Sequence, residues 1–168
     1  MLDSVEVTLI EGLRVRIAAG DAGVRAIEFE PWRAMDWGAS GTHPLLRETT
    51  RQLQAYFAGE LRRFELPLDL RGTEFQLRVW RELERIPYGE TRSYRQVASA
   101  IGPPDAVRAV GAANGANPIP IVVPCHRVIG ASGKLVGYGG GLELKRRLLE
   151  LEGVRTMALG YEAERGGS

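Results

Sequence analysis

The sequence predicts an α/β (α+β) protein with a small N-terminal domain of antiparallel sheet plus helix. A mainly helical C-terminal domain of the winged helix-turn-helix kind is predicted to follow. Three observations support this prediction: apolar residues alternate near the N-terminus, two helix-capping boxes stand in the second half, and the two halves carry opposite net charge. The predicted domains are residues 1–70 and 71–168.

The N-terminal domain is predicted from a change of hydrophobic period. Apolar residues occupy alternate positions across 5–29, with turns at Gly12 and at 20–23, which indicates a small antiparallel sheet. Residues 31–44 show no period and are predicted as a loop. From Leu46 to Phe64 the apolar residues recur at helical spacing, which Gly59 weakens and Pro67 ends.

Two capping boxes predict the first helices of the C-terminal domain. Thr73 with Gln76 opens a helix that ends before residues 87–89, and Ser93 with Gln96 opens a short helix through residue 101. Asp105 is predicted to cap a third helix over 106–114, which would complete a helix-turn-helix. A helical hairpin of this kind is also a common packing unit.

The remaining elements are a wing-like hairpin, a last helix and a tail. Residues 119–123 and 134–136 are predicted as two short strands around the turn at 130–133. Residues 142–152 are predicted as an amphipathic helix that Gly153 ends, and residues 160–168 as a frayed tail.

Composition excludes several classes of protein. With 44% hydrophobic and 26% charged residues the chain is predicted to fold, and no apolar run approaches the roughly 20 residues of a membrane span. The first residues lack a signal-peptide pattern, so a cytoplasmic protein is expected. Residues 91–147 contain eight basic and two acidic residues, a net charge of +6. This excess suits a polyanion, although a solvated basic face would explain it equally well.

Cys125 is the only cysteine, which excludes an internal disulfide and a multi-cysteine zinc site. It lies in the segment Pro124-Cys125-His126-Arg127, where an imidazole and a guanidinium favour the reactive thiolate. Adjacent residues of a strand point to opposite faces, so Cys125 and His126 can cooperate only through a turn or a bridging water. A buried structural cysteine is the alternative interpretation.

Other residues around the thiol have candidate roles. Glu152 could orient His126, and Glu150 competes with it for that role. Asn117 could brace the turn that presents Cys125. The glycine-rich segment 137–141 lacks the Lys-Ser/Thr of a phosphate loop, and it is either a ligand-binding loop or a flexible connector.

The segment 117–128, which contains Pro124-Cys125-His126-Arg127, resembles the active-site signature of the O6-alkylguanine-DNA alkyltransferases, a family of direct-reversal DNA repair proteins. The resemblance extends over roughly residues 53–153. Upstream of this segment it includes residues 87–91, Tyr94 and residues 108–111. Downstream it includes residues 132–133, 137–138 and 148–153.

This resemblance implies the irreversible, single-turnover transfer of a methyl or other alkyl group from O6 of a flipped-out guanine to Cys125, without a cofactor, and it leaves transfer from O4 of thymine open. His126 would be the base, acting through a water, with Glu152 holding it and Asn117 bracing the turn. The DNA partner is double-stranded and bound in its minor groove by a monomer, with cooperative binding along DNA left open. The implied DNA-binding residues are Tyr94, Arg108, Ser93, Ala109 and Arg127, and the implied pocket residues are Tyr138, Val136, Gly139 and Tyr94.

Two departures from the family pattern affect these expectations. Some members bind a structural zinc in the N-terminal domain, but this chain has no cysteine there and only His43, so no metal is expected. Gly139 stands where some members have a serine that contacts the alkylated oxygen, which leaves the range of accepted adducts open. Two alternatives are a non-catalytic lesion-sensing DNA-binding protein and, less favoured, a cysteine hydrolase.

Overall fold

The computed structural model describes residues 1–32 and 37–156. They form two compact units. The first unit consists of Met1–Arg71 and Pro118–Val122. The second unit consists of Gly72–Asn117 and the described residues from Val123 onward. None of the helices formed by the described residues is long and apolar enough to cross a lipid bilayer. The predicted tail at 160–168 lies outside the described residues.

The first unit contains a four-stranded sheet. Strands β1 (Asp3–Ile10), β2 (Leu13–Gly20) and β3 (Gly23–Phe29) form the predicted antiparallel meander, and the strand order is β3-β2-β1-β4. The two-residue strand β4 (Ala39–Ser40) pairs in parallel with β1 inside the segment predicted as a loop. A strand of two residues is too short to produce an alternating pattern, which explains the omission.

Helix α1 (Pro44–Phe57) packs on this sheet. His43 caps it, because its Nδ1 accepts a hydrogen bond from the backbone N–H of Leu45 at 3.2 Å. The helix ends at Phe57 and not at Phe64 as the periodicity predicts. Gly59 adopts a left-handed φ of 76°, so the chain leaves the helix there although apolar residues continue.

In the second unit, both capping boxes begin helices as predicted. Thr73 caps α2 (Glu74–Leu83) and Ser93 caps α3 (Tyr94–Ile101), each with the reciprocal pair of hydrogen bonds. Helices α2, α3 and α4 (Val107–Gly115) pack together, with α3 and α4 as the helix-turn-helix.

The prediction that Asp105 caps the third helix is wrong. Helix α4 follows Ala106, which makes no side-chain capping bond. Asp105 lies one residue too early, inside a turn that the backbone N–H of Ala106 closes on the carbonyl of Pro103 at 3.0 Å. The last helix, α5 (Leu142–Leu151), is found as predicted and is followed by Gly153 at a φ of 87°.

The prediction of a wing hairpin is wrong about which residues form its two strands. Residues 119–123 and 134–136 form no strand pair, and Pro118–Val122 belongs to the first unit. Instead β5 (Arg92–Ser93) pairs in parallel with β6 (Val128–Ile129). The prolines at 118, 120 and 124 explain the error, because each lacks the backbone N–H that a strand ladder needs. The turn at 130–133 remains, closed by a hydrogen bond of 2.8 Å from Gly130 N–H to the Lys134 carbonyl.

Candidate active site

Cys125 begins a single turn of 3₁₀ helix, Cys125–Arg127, directly after Pro124. The Cys125 N–H donates to the Val123 carbonyl at 2.8 Å, and Asn117 Nδ2 donates to the same carbonyl at 2.8 Å. Asn117 therefore bonds to the turn that it was predicted to brace. Because this segment is a turn and not a strand, neighbouring side chains need not point to opposite faces.

The Cys125 thiol is free and only 5% exposed. Burial raises the pKa of this thiol, while a hydrogen bond from the Asn117 side chain and the charge of Lys145 act in the opposite direction. The ionised form of the thiol is therefore disfavoured unless neighbouring groups take its proton or offset its charge.

Behind the thiol, a buried network joins His126, Glu152 and Arg127. Nε2 of His126 lies 2.6 Å from Oε2 of Glu152. Arg127 donates to both carboxylate oxygens, from Nε to Oε1 at 2.7 Å and from Nη2 to Oε2 at 3.1 Å. Its Nη1 donates to the Ile86 carbonyl at 2.7 Å, which fixes the guanidinium.

Burial and charge determine the ionisation of this network. Burial acts to raise the pKa of Glu152, but the hydrogen bonds from His126 and Arg127, together with the adjacent positive charge, lower it to about 2. Burial lowers the pKa of His126. At neutral pH we therefore assign a carboxylate to Glu152 and a neutral ring to His126.

The network also assigns the tautomer of His126. A neutral ring bonded to a carboxylate donates from Nε2, which leaves Nδ1 as the basic nitrogen. Nδ1 is buried and has no hydrogen-bond partner among the described residues. Nδ1 can therefore accept a proton.

The structure distinguishes the two candidate glutamates. Glu150 is exposed and is bound by Arg146 and by the hydroxyl of Thr156, whereas Glu152 contacts His126. The same geometry argues against Arg127 as a DNA contact. Arg127 is 7% exposed and its guanidinium is committed to Glu152 and Ile86, so it is not on the surface.

Two of the predicted pocket residues, Tyr94 and Val136, contact each other. The hydroxyl of Tyr94 donates to the Val136 carbonyl at 3.2 Å, and the Val136 side chain is 43% exposed. Tyr138 is half-buried and Gly139 exposed in the loop that follows. Their part in a pocket stays a prediction.

Lys145 was missed by the sequence analysis. Its side chain is fully buried, and Nζ donates to backbone carbonyls of Val128, Val136 and Gly137. A signal was present in the sequence: Lys145 precedes Leu148 and Leu149 by three and four residues, so a lysine stands on the apolar face of α5.

The predicted DNA-binding residues lie on and before the helix-turn-helix. Arg108 and Ala109 are exposed in the first turn of α4. Ser93 is half-buried, and its hydroxyl caps α3 by accepting from the Gln96 N–H at 3.0 Å. An open cavity of about 430 Å³ begins beside Ser93 and is also lined by Arg95 and the turn at 130–133.

The helix-turn-helix, the buried cysteine and the neighbouring histidine–glutamate pair together indicate a nucleic-acid-binding protein that carries a thiol site. Comparison with protein families agrees. Residues 74–154 match the DNA binding domain of 6-O-methylguanine DNA methyltransferase, and residues 14–70 match its ribonuclease-like domain.

Individual relatives support the same family. The methylated-DNA--protein-cysteine methyltransferase of Mycobacterium tuberculosis is 69% identical over 107 residues, which span 64% of this chain and 65% of that protein. The protein of that name from Methanosarcina barkeri is 47% identical over 82% of this chain and 89% of its own length. The chain therefore belongs to the 6-O-methylguanine DNA methyltransferase family.

Solved structures are similar over most of the chain. A crystal structure of Mycobacterium tuberculosis OGT in complex with DNA superimposes with a TM-score of 0.79 at 46% identity, covering 95% of this chain and 98% of that one. The Mycobacterium tuberculosis O6-methylguanine methyltransferase gives a TM-score of 0.81 at 48% identity, covering 90% and 93%. The mixed α/β fold with a helical DNA-binding domain is thus confirmed.

Proposed function

We propose that this protein repairs double-stranded DNA by transferring a methyl or other alkyl group from O6 of guanine to Sγ of Cys125. One observation carries the proposal: the only cysteine is a buried thiol on a turn whose next residue, His126, is held by Glu152 with Nδ1 left as a base. The names and DNA complex of the relatives support the same activity.

The chemistry balances without a cofactor. His126 accepts the thiol proton through a water, and the Cys125 sulfur attacks the alkyl carbon. The sulfur–carbon bond forms as the carbon–O6 bond breaks, and the released electron pair goes to guanine, which regains a proton. The net change is transfer of the alkyl group to sulfur and of the thiol proton to guanine. Because the thioether is stable, each molecule reacts once.

The DNA surface is proposed on the helix-turn-helix. The target oxygen cannot be reached within the base stack, so the guanine is flipped out. Arg108, exposed on α4, enters the minor groove to fill the gap, and Ala109 lets the helix approach closely. Ser93 and Tyr94, at the start of α3, contact the sugar–phosphate backbone of the DNA. Tyr94 also promotes rotation of the nucleotide.

The guanine pocket is proposed at Tyr94, Val136, Tyr138 and Gly139, where backbone groups and aromatic rings can bind a planar base. Arg127 is reassigned from DNA contact to positioning, because it holds the Glu152 carboxylate. The protein is proposed to bind DNA as a monomer. A single cysteine that must stay reduced also suits the cytoplasm.

Intact-protein mass spectrometry tests the reaction. The full chain is mixed with an equimolar duplex carrying one O6-methylguanine, and a gain of one methyl group per protein, mapped to Cys125, is expected. Cys125→Ala should bind the lesion but gain no mass. Lesion-selective binding by the wild-type protein with no mass gain would instead identify a lesion sensor, and multiple turnover of an ester or amide would identify a hydrolase.

Arg108→Ala tests the proposed role in base flipping. Because Arg108 is exposed and is proposed to fill the gap in the duplex, its removal should slow methyl transfer from duplex DNA about tenfold or more. The thiol chemistry itself should be unaffected. Transfer from a short single-stranded oligonucleotide, which needs no flipping, is the control and should slow much less. Equal slowing on both substrates would contradict this role.

A further inference from the structure

The turn at residues 87–90, between α2 and β5, contacts the buried network of the candidate site, although the proposed reaction does not use it. The Glu90 N–H closes this turn on the Pro87 carbonyl at 3.1 Å. Gly89 supplies the left-handed φ of 83° that the third position of such a turn requires. Tyr88 is the second residue of the turn and is half-buried. Its hydroxyl and its ring make two separate contacts.

The hydroxyl of Tyr88 binds the end of the last helix. Glu152 is the first residue after α5, and helix ends fray because the carbonyl groups of the last turn have no partner within the helix. The Tyr88 hydroxyl donates to one of these carbonyls, that of Leu151, at 3.2 Å. This hydrogen bond fixes the backbone directly before Glu152, and with it the base of the side chain that holds His126.

The ring of Tyr88 contacts a second member of the network, Arg127. The guanidinium carbon of Arg127 lies 5.8 Å from the ring centroid, a distance at which a cation is attracted to the face of an aromatic ring. Because Arg127 is buried, water weakens this attraction little. The ring therefore helps to hold the guanidinium that donates to both carboxylate oxygens of Glu152.

The backbone of the same turn completes the hydrogen bonding of Glu152. The N–H of Gly89 donates to Oε1 at 3.4 Å, beside the bond from Nε of Arg127. Oε2 is paired with Nε2 of His126 and with Nη2 of Arg127. The two oxygens of a carboxylate offer about four lone-pair sites, so these four contacts occupy all of them. Displacing the turn would remove one donor and allow the carboxylate to rotate away from His126.

We infer that Tyr88 is a positioning residue of the transfer reaction: through Arg127 and the end of α5 it holds the Glu152 carboxylate on Nε2 of His126, which keeps Nδ1 of that ring as the base. The inference rests on the proposed function for its reaction, but the tautomer of His126 can be measured without DNA. A purely structural role for Tyr88 predicts a loss of stability alone. The positioning role predicts a changed tautomer as well.

The test replaces Tyr88 in the full chain by Phe and by Leu. Phe keeps the ring over Arg127 and removes the hydroxyl, whereas Leu removes both, so the two variants separate the two contacts. Tyr56→Phe and Tyr56→Leu are the matched controls, because Tyr56 lies in α1 of the first unit, is fully buried and packs against Phe64. Thermal unfolding followed by circular dichroism identifies the folded variants, and Tyr88→Phe carries the test if Tyr88→Leu does not fold.

The first readout is the tautomer of His126, measured by long-range proton–nitrogen correlation NMR at a pH where the ring is neutral. The chain has two histidines, and His43 in the first unit serves as the internal reference. In the wild-type protein His126 should carry its proton on Nε2. Tyr88→Leu should increase the population protonated at Nδ1 about threefold or more, and Tyr88→Phe should increase it less. The Tyr56 variants should keep the wild-type tautomer, and an unchanged tautomer in the folded Tyr88 variants overturns the inference.

The second readout is the first-order rate of methyl transfer at saturating duplex DNA with one O6-methylguanine. Tyr88→Leu should slow it about fivefold or more, with Tyr88→Phe between Tyr88→Leu and the wild type, while affinity for undamaged duplex stays within about twofold. Folded Tyr56 variants should transfer at the wild-type rate. The same rate in a folded Tyr88→Leu protein would overturn the positioning role. If the wild-type chain accepts no methyl from DNA, the proposed function fails, while the NMR measurement still decides whether Tyr88 holds the tautomer of His126.

Discussion

Glu152 determines which nitrogen of His126 can act as a base. Oε2 of its carboxylate lies 2.6 Å from Nε2 of His126 and accepts the hydrogen bond from that nitrogen, so Nδ1 is left as the acceptor. Arg127 in turn keeps Glu152 ionised, with two hydrogen bonds to the carboxylate. The order of dependence is therefore guanidinium, carboxylate and imidazole, joined by hydrogen bonds between buried groups, and in the proposed reaction a water connects the imidazole to the thiol.

At the residue scale, Glu152→Gln should both slow transfer and destabilise the protein. The amide cannot neutralise Arg127, which would keep an uncompensated buried charge, and a loss on the order of 3–5 kcal/mol in the free energy of unfolding is expected. An amide can also bond His126 in either tautomer, so less Nδ1 is available as a base. Urea unfolding and single-turnover transfer measure the two effects.

The neighbouring glutamate supplies the control for Glu152. Glu150 is exposed and paired at the surface with Arg146, so Glu150→Gln should change the free energy of unfolding by less than about 1 kcal/mol and leave transfer unchanged. Equal effects of the two substitutions would contradict the assignment of Glu152 to His126.

At the scale of elements, local signals predicted local structure well. The capping boxes at Thr73 and Ser93 each specify a helix start through residues three positions apart, and both are present. The prediction of the wing hairpin was wrong because its strands had to be inferred from short apolar runs. The actual partner of β6 is β5, which lies 36 positions away in sequence and carries no local signal.

The candidate site was predictable for a similar reason. Cys125 and His126 were proposed because they are adjacent and the cysteine is unique, and the resemblance selected Glu152 over Glu150. The burial of Arg127 and of Lys145 was not predicted, because it depends on tertiary packing. Whether an arginine faces DNA or a carboxylate depends on packing between distant segments, which the residue types alone do not reveal.

A capping prediction belongs to the same scale. Thr73→Ala should lower the free energy of unfolding by about 1 kcal/mol, because it removes the oxygen that accepts from the Gln76 N–H at 3.1 Å. Thr73→Ser retains that oxygen and should stay close to the wild-type protein in the same urea titration. If Thr73→Ala and Thr73→Ser are equally stable, the capping bond does not stabilise α2.

At the scale of the whole molecule, the two units are not two continuous stretches of chain. Residues 118–122 belong with the first unit although they follow the helix-turn-helix in sequence. Their Pro118 carbonyl accepts from the Ile27 N–H at 2.9 Å, and Ile119 and Ile121 are 0% and 1% exposed. The segment that leads to Cys125 therefore belongs to the unit that contains the sheet.

This arrangement predicts that the C-terminal part is unstable on its own. A fragment of residues 72–168 should unfold at least about 10 °C below the full chain, because two isoleucines buried in the first unit become exposed and burying each contributes about 1.5–3 kcal/mol. Circular dichroism at 222 nm follows the helices during heating. Adding a separately produced fragment of residues 1–71 should raise the unfolding temperature, since it restores the partner of 118–122. A fragment that melts with the full chain would instead support the division at residues 70 and 71 as two independently folding domains.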